Sequence, residues 1–380
     1  MSAAETNGRA PAGPRGDLPA ADHLRRRDRL RAALADHGVE ALLVTAPANV
    51  RWLSGFAGSN GQVLVGADAN TDRLVTDARY EERAATESPG LAVALSRDPF
   101  AVALDGAASG AVLGIEAEHV PWAQAQRWCE RADEAGIEVR PTAPVVEGLR
   151  VVKDDAELAR LEAACAFTVD ALAWLFAEVV AEGRTERELA TALERRFVDL
   201  GADGVAFASI VASGPNASVP HHAPTERPLR PGDLLTVDCG ALVDGYHADC
   251  TRTVALGHLD HQLVRVHSAV EAAQARGRAA AVAGASAGDV DAACRDLLDD
   301  LGYGDHFVHG TGHGVGLDIH EAPAVAKGSA ATLSAAMALT VEPGVYLPGV
   351  GGVRIEDTIV VTADGPPSIL TTAPRELRIL

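Results

Sequence analysis

The feature that most constrains this chain is a pattern written twice in its C-terminal half. Residues 181–201 (AEGRTERELATALERRFVDLG) lie over residues 282–302 (VAGASAGDVDAACRDLLDDLG) at a constant offset. Gly183 falls on Gly284, Thr185 on Ser286, Leu189 on Val290, Phe197 on Leu298 and Gly201 on Gly302. Thr185 and Ser286 stand where a helix N-cap belongs, and Glu188 completes a capping box in the first copy. Each copy then runs into strand-like segments. Chance likeness between two Ala-rich helices is the competing explanation, and the glycines bracketing both copies weigh against it. A duplication of this kind folds as two related halves packed together, with a cleft on their pseudo-twofold axis. Chemistry is expected in that cleft.

The 380 residues are too many for one ordinary core, so two domains are expected. Residues 22–147 read as an alternating α/β domain. An Arg-rich helix from Leu24 to His37 ends at Gly38, a C-cap signal. Strand signals follow at 41–45, 62–65, 73–76, 91–94 and 112–115, with helical stretches at 79–87 and 121–135. This part carries no phosphate-binding glycine loop, and a regulatory, dimerising or substrate-capping role stands beside a catalytic one. A boundary falls near Pro141 to Lys153, a long helical pattern runs from Asp155 to Glu182, and residues 148–380 form the second domain. Residues 1–21, rich in Ala, Pro and Gly, read as a disordered tail without a signal-peptide core.

A net charge of -20 argues against nucleic acid and anionic membranes as partners. No apolar run reaches the about eighteen residues of a membrane-spanning helix. The cysteines (Cys129, Cys165, Cys239, Cys250 and Cys294) are odd in number and contain no CxxC pair, which suits a reducing compartment. A soluble, cytoplasmic protein is expected.

Three segments carry chemistry. In LLTVDCGALVDGYHADCTRTVAL (234–256), Asp244-Gly245 is a two-residue hairpin signal of type I′. That register sets Val243 opposite Tyr246, Gly240 opposite Asp249 and Cys239 opposite Cys250, so Asp238 and Asp249 share a face as diagonal neighbours. Two adjacent carboxylates repel, and one takes a proton unless a divalent cation intervenes. Two solvated strand aspartates are the bland alternative. In FVHGTGHGVGLDIHE (307–321), three histidines stand among glycines, which let the backbone approach a ligand. In TVEPGVYLPGVGGVRIEDTIVV (340–361), Glu342 ends one strand, and Arg354 and Glu356 sit two apart on one face of the next. Carboxylates on apolar strands are rarely buried unless paired or metal-bound. Four carboxylates and an imidazole suit two divalent ions such as manganese, cobalt or zinc. Such a pair activates water for hydrolysis, and the substrate class stays open at this point.

The ordered segments VDCGA, ADCTRT, HGTGHGVGLDIHE, VEPGVY and RIED resemble the metallopeptidases of pita-bread fold, the group of aminopeptidase P, prolidase and methionine aminopeptidase. NVRWLSGFAGSNG and VTDARYEERA resemble the creatinase-type N-terminal domain that accompanies the proline-specific members. The resemblance covers residues 22–380. It implies an α/β two-domain protein, a creatinase-like domain followed by a duplicated α+β pita-bread domain. It implies Asp238, Asp249, His313, Glu342 and Glu356 as ligands of two metal ions, most naturally manganese, with Asp249 and Glu356 bridging. It further implies attack by a bridging hydroxide on the carbonyl before proline, with Glu342 carrying the proton. His320 would hold substrate or oxyanion, His221 the outer sphere and His309 the proline side, while Arg354 orients a ligand carboxylate. His222 is an extra without an assigned role. An aminopeptidase releasing the residue before proline from peptides, as a homodimer, is the first reading. A dipeptidase restricted to Xaa-Pro is the rival, and it would need an added group to fix the free carboxylate. A methionine aminopeptidase or an inactive binding module is less favoured, because the N-terminal domain and all five ligands are present.

Overall fold

The computed structural model describes residues 18–380. Most of the expected tail, residues 1–17, therefore lies outside the described residues. Leu18 packs against a small cluster containing Ala164 and Val243, and the Pro19 carbonyl accepts from Arg160, so this end of the segment is held in place. The chain divides into two compact units, Ala20–Arg150 and Val151–Leu380, with Leu18 and Pro19 belonging to the second.

The first unit holds one mixed sheet of six strands. They are β1 (Ala41–Val44), β2 (Gly61–Gly66), β3 (Arg73–Thr76), β4 (Ala92–Leu95), β5 (Val112–Glu116) and β6 (Glu138–Thr142), ordered β4-β3-β2-β1-β5-β6. Helices α1 (His23–Leu34), α2 (Pro47–Ser54), α3 (Glu81–Glu87), α4 (Pro99–Asp105), α5 (Trp122–Ala135) and α6 (Val145–Arg150) accompany it. The α1 segment closes through one 3-10 turn onto Gly38, whose φ of 64° a residue with a side chain adopts at a cost. Its arginines are not all solvated. Arg26 and Arg27 are buried and donate to the Trp52 and Leu53 carbonyls in the last turn of α2. Strand β6 escapes sequence reading because it is mostly polar and contains Pro141, which only an edge strand tolerates.

The second unit is built twice. Its first half has α7 (Asp155–Trp174) and α8 (Glu186–Leu200), followed by β7 (Gly204–Val205), β8 (Ile210–Ser213), β9 (Leu234–Cys239), β10 (Ala241–Val243), β11 (Tyr246–His247) and β12 (Cys250–Ala255). Its second half has α9 (His261–Ala280) and α10 (Ala287–Asp300), followed by β13 (Gly312–Gly314), β14 (Glu321–Val325), β15 (Ala338–Val341), β16 (Gly344–Leu347), β17 (Gly351–Arg354), β18 (Asp357–Val360) and β19 (Ser368–Ile369). The sheet order β12-β9-β8 of the first half recurs as β18-β15-β13 in the second. Thr185 caps α8 and Ser286 caps α10, each through a full capping box, the second closed by Asp289. Even the isolated bridges match, Thr185 to Pro228 and Ser286 to Thr332. The long helix α7 stops earlier than its pattern suggests, passing into a π-turn at Leu175–Val179.

Each half has its own core cluster, one around Leu189, Phe197 and Val237, the other around Val290, Leu298 and Ile359, which Leu234 and Ala255 of the first half also join. Where the halves meet, threonines join them. The Thr251 carbonyl accepts from the Glu356 amide at 3.1 Å. Thr253 Oγ1 donates to the Arg354 carbonyl at 3.0 Å, and Thr358 Oγ1 to the Asp249 carbonyl at 2.8 Å.

The hairpin register agrees with the sequence reading. Val243 pairs with Tyr246 and Cys239 with Cys250, and both cysteines are buried free thiols. Asp244 (φ 47°) and Gly245 (φ 79°) take the left-handed pair a I′ turn needs. The ribbon is not continuous, however. At Gly240 the chain leaves the sheet of β9 and β12 for that of β10 and β11. A Cβ on Gly240 would lie 1.8 Å from the Ala248 carbonyl oxygen, so only glycine fits this crossing.

Candidate metal centre

Asp238 lies one residue before the end of β9 and Asp249 immediately before β12, on the same face and 5–8% exposed. The second half repeats the device. Glu342 follows the last residue of β15, and Glu356 occupies the link between β17 and β18. Arg354 and Glu356 were expected on one strand, and here the structure differs. The chain changes sheet after Arg354, as it does at Gly240 in the first half. The two side chains still converge, because Thr251 Oγ1 accepts from Arg354 Nε and donates to Glu356 Oε2 at 2.7 Å.

His313 comes from β13. Gly312 and Gly314 flank it because a Cβ at either would lie 2.1 Å from the Thr340 or Ala322 carbonyl oxygen. These glycines admit neighbouring backbone, and Gly310 and Gly312 also line the cavity beside the cluster. Ligand-capable atoms of Asp249, His313 and Glu356 all lie within 4.8 Å of one another. Glu342 Oε1 is 3.3 Å from His313 Nε2, and Arg354 donates to Asp238 Oδ2 at 2.6 Å.

The electrostatics are unbalanced. Burial, then the charges of Glu356 and Asp238, push the Asp249 carboxyl well above its usual range. Burial and the charges of Glu342 and Asp238 do the same to Glu356. Burial would raise Glu342 too, but the hydrogen bond and charge of His313 outweigh it and hold that carboxyl low. Asp238 Oδ1 and Glu356 Oε1 are buried without any hydrogen-bond partner among the described residues. Such atoms are costly unless a cation completes them.

Around this cluster lies a cavity of about 560 Å³, a size usual for small-ligand sites. His221, His309 and His320 line it, together with His222. His320 packs edge-on against His313 with ring centres 4.4 Å apart. His309 is fully engaged, through Nδ1 with the Gly310 carbonyl at 2.7 Å and through Nε2 with the Tyr346 hydroxyl at 2.8 Å. Tyr346 also accepts from Arg354 at 2.8 Å, so its proton goes to His309 and a chain of bonds runs from His309 to Asp238. Burial lowers the His309 imidazole, consistent with a neutral ring. Tyr346 was missed in the sequence; in VEPGVYLPG it reads as one more strand aromatic.

The sequence pattern of metallopeptidase family M24 matches residues 159–363, and that of the creatinase/prolidase N-terminal domain matches residues 26–152. The chain belongs to metallopeptidase family M24. This M24 member is 32% identical to the Xaa-Pro dipeptidase of Pyrococcus furiosus, over 93% of this chain and 99% of the relative. Among solved structures it resembles an Xaa-Pro dipeptidase from Bacillus anthracis (34% identity, TM-score 0.88, 94% of this chain and 100% of that one). It also resembles an X-Pro aminopeptidase from Thermotoga maritima (32% identity, TM-score 0.84, 93% and 99%). The two-domain fold, with a creatinase-type domain before a pita-bread domain, is shared with them. The enzyme is a metallopeptidase, and its donor set fits divalent ions. Hard oxygen donors, one imidazole and two orphaned buried oxygens are what such ions require. Among the described residues no helix is long and apolar enough to cross a membrane.

Proposed function

We propose that this chain hydrolyses the peptide bond preceding proline, in Xaa-Pro dipeptides first and in longer peptides second. The observation that carries the hydrolytic reading is the buried, under-partnered cluster of Asp238, Asp249, His313, Glu342 and Glu356. In this reading those five side chains hold two ions, manganese by preference, within a catalytic domain of residues 148–380 that follows a creatinase-like domain of residues 22–147. Bound there, divalent ions supply Lewis acidity that polarises a carbonyl and acidifies water. Glu342, within 3.3 Å of His313 and beside the cavity, is placed to accept a proton from that water and pass it to the leaving nitrogen. His320 offers a donor to the developing oxyanion. Arg354 fixes Asp238, Tyr346 fixes His309, and His309 presents a ring wall because both its nitrogens are occupied.

Preference for the dipeptide rests on relatives named Xaa-Pro dipeptidases at 32–34% identity over more than nine-tenths of the chain. That reverses the order given by sequence alone. The Thermotoga maritima relative keeps the aminopeptidase as second reading. A cytoplasmic setting and a homodimer belong to the same proposal. Purified protein reloaded with manganese is assayed on Ala-Pro, Ala-Pro-Ala and Ala-Ala-Ala. Turnover of Ala-Pro well above the others is expected. Faster cleavage of Ala-Pro-Ala would make the enzyme an aminopeptidase, and equal cleavage of Ala-Ala-Ala removes proline from the claim.

A further inference from the structure

Glu186 is a fully buried carboxylate outside the metal centre, and it accepts from every side. Its Oε1 takes the Ser213 amide at 2.8 Å, Ser213 Oγ at 2.7 Å and Asn216 Nδ2 at 3.0 Å. Its Oε2 takes the Thr225 amide at 3.0 Å, Thr225 Oγ1 at 2.6 Å and His222 Nε2 at 2.9 Å. Burial would raise this carboxyl, yet the bonds from Thr225, His222, Ser213 and Asn216 outweigh it and hold it at about 2. An ionised acceptor of this kind costs several kcal/mol to bury, on the order of a whole salt bridge, unless all its lone pairs are used. Here they are used to hold one segment, residues 213–225, against the first turn of α8.

That segment forms a wall of the cavity through Pro220, His221, His222 and Pro224. His222 is the residue to which the ligand set assigns nothing. Glu186 is an acceptor only, so the shared proton sits on His222 Nε2. The ring's other nitrogen has no partner among the described residues, and the residue faces the cavity. A second donor stands in the same cavity without a partner. Ser209 is 3% exposed, lines the cavity, and its hydroxyl makes no hydrogen bond to any described residue. A buried hydroxyl left unpaired at a cavity wall is a site awaiting an acceptor.

We propose that Ser209 and His222 receive the free carboxylate of the substrate, with Glu186 as the residue that positions His222 for it. The role rests on the dipeptide reading above and deepens it. Xaa-Pro is a zwitterion. Its ammonium end suits the acidic metal centre, while its carboxylate needs donors away from those carboxylates. Arg354 cannot serve, because its guanidinium is spent on Asp238, Tyr346 and Thr251. Fixed at Nε2 by Glu186, His222 turns its other ring nitrogen to the cavity, so the ring stands between two carboxylates, one of the protein and one of the substrate. The Ser209 hydroxyl adds a second, charge-assisted donor.

The test compares acid and amide pairs, Ala-Pro with Ala-Pro amide and Ala-Ala with Ala-Ala amide, on manganese-loaded wild type, Ser209→Ala, His222→Phe, Glu186→Gln and the double variant E186Q/H222F. His222→Phe is expected to raise KM for Ala-Pro at least tenfold, with a much smaller fall in kcat, and to shrink the acid-over-amide preference towards one. Ser209→Ala should do the same by about threefold. Glu186→Gln should match His222→Phe and add little to it in the double variant, as for residues acting in one chain. Manganese affinity by calorimetry should stay that of wild type throughout. An unchanged acid-to-amide ratio in His222→Phe and Ser209→Ala overturns the proposal, and so does a wild type without preference for the acid. Additive losses in the double variant overturn the positioning role of Glu186. The Pro-to-Ala ratio reports separately on proline selectivity, so failure of the functional reading shows in a different number.

Discussion

Glu356 and Asp357 are neighbours in sequence, both buried, and treated in opposite ways. Asp357 is saturated. Arg252 and Arg375 bond it at 2.8 and 2.6 Å, Gln274 donates at 2.7 Å and Arg278 stands 3.5 Å away. Burial would raise its carboxyl, but those arginines hold it low. Glu356 has one hydroxyl donor, an orphaned oxygen and three nearby carboxylates, and its carboxyl is driven high. The contrast separates two uses of a buried acid. A carboxylate that holds the fold together is given all its counter-charge by the protein. One that lines the candidate metal centre is left short of it, which is what the proposed cation would make good.

Several experiments can break that contrast. The largest effect is expected from Asp249→Asn and Glu356→Gln. Each should cut divalent-ion affinity by calorimetry more than the roughly 100-fold that loss of an outer-sphere partner costs. Each should leave the metal-free protein as stable as wild type or more so, since a strained charge is removed. A large fall in the melting temperature of the metal-free form would show these acids to be structural. Arg252→Met should do the reverse. It strips a buried partner from Asp357, and should cost about 3–5 kcal/mol in denaturant unfolding. Adding Asp357→Asn should recover part of that loss.

A third buried titratable group tests the rule for a base. His267 in α9 is 1% exposed, with Nε2 unpartnered among the described residues. Burial lowers its imidazole to about 4 from an ordinary value of 6.5. The unfolded chain therefore gains a proton as pH falls through 6.5, while the folded chain resists until about 4. Stability is lost across that window, by an amount on the order of 3 kcal/mol. His267→Phe should flatten the unfolding free energy between pH 6.5 and 4; an unchanged slope would assign the acid loss elsewhere. The smallest effects are those of the two caps. Thr185→Ala and Ser286→Ala should each cost about 1 kcal/mol, and nearly equally, if the halves are true repeats down to their helix starts.

The duplication was legible because its marks are local. Glycines that close helices and hydroxyls that open them depend on a few adjacent residues, and so does the Asp244-Gly245 turn. The acids of the candidate metal centre stood out as carboxylates stranded on apolar strands. What stayed hidden depends on partners distant in sequence. Nothing around Tyr346 announces that His309 and Arg354 will meet at its hydroxyl. Glu186 reads as one more acid in the first turn of α8, because its six donors arrive from 213–225. The break between Arg354 and Glu356 was invisible for the same reason. A strand pattern reports which face a side chain takes, not when the chain passes to another sheet. In the first unit, the short helices α2, α4 and α6 went unread, and the polar β6 shows no strand period.

The threonine contacts between the halves set limits on how this sequence can drift. Within each half the packing is apolar, and hydrophobic residues of similar volume can replace one another at modest cost. Across the seam the fit is made by hydroxyls of Thr251, Thr253 and Thr358, each bonded to main chain or to a site residue. Valine has the shape of threonine and none of its donors, so the substitution that a core forgives best is the one this seam cannot accept. Serine keeps the donor and gives up only a methyl group. Descendants of this chain should therefore wander freely in their two cores while the seam spells itself in a two-letter alphabet.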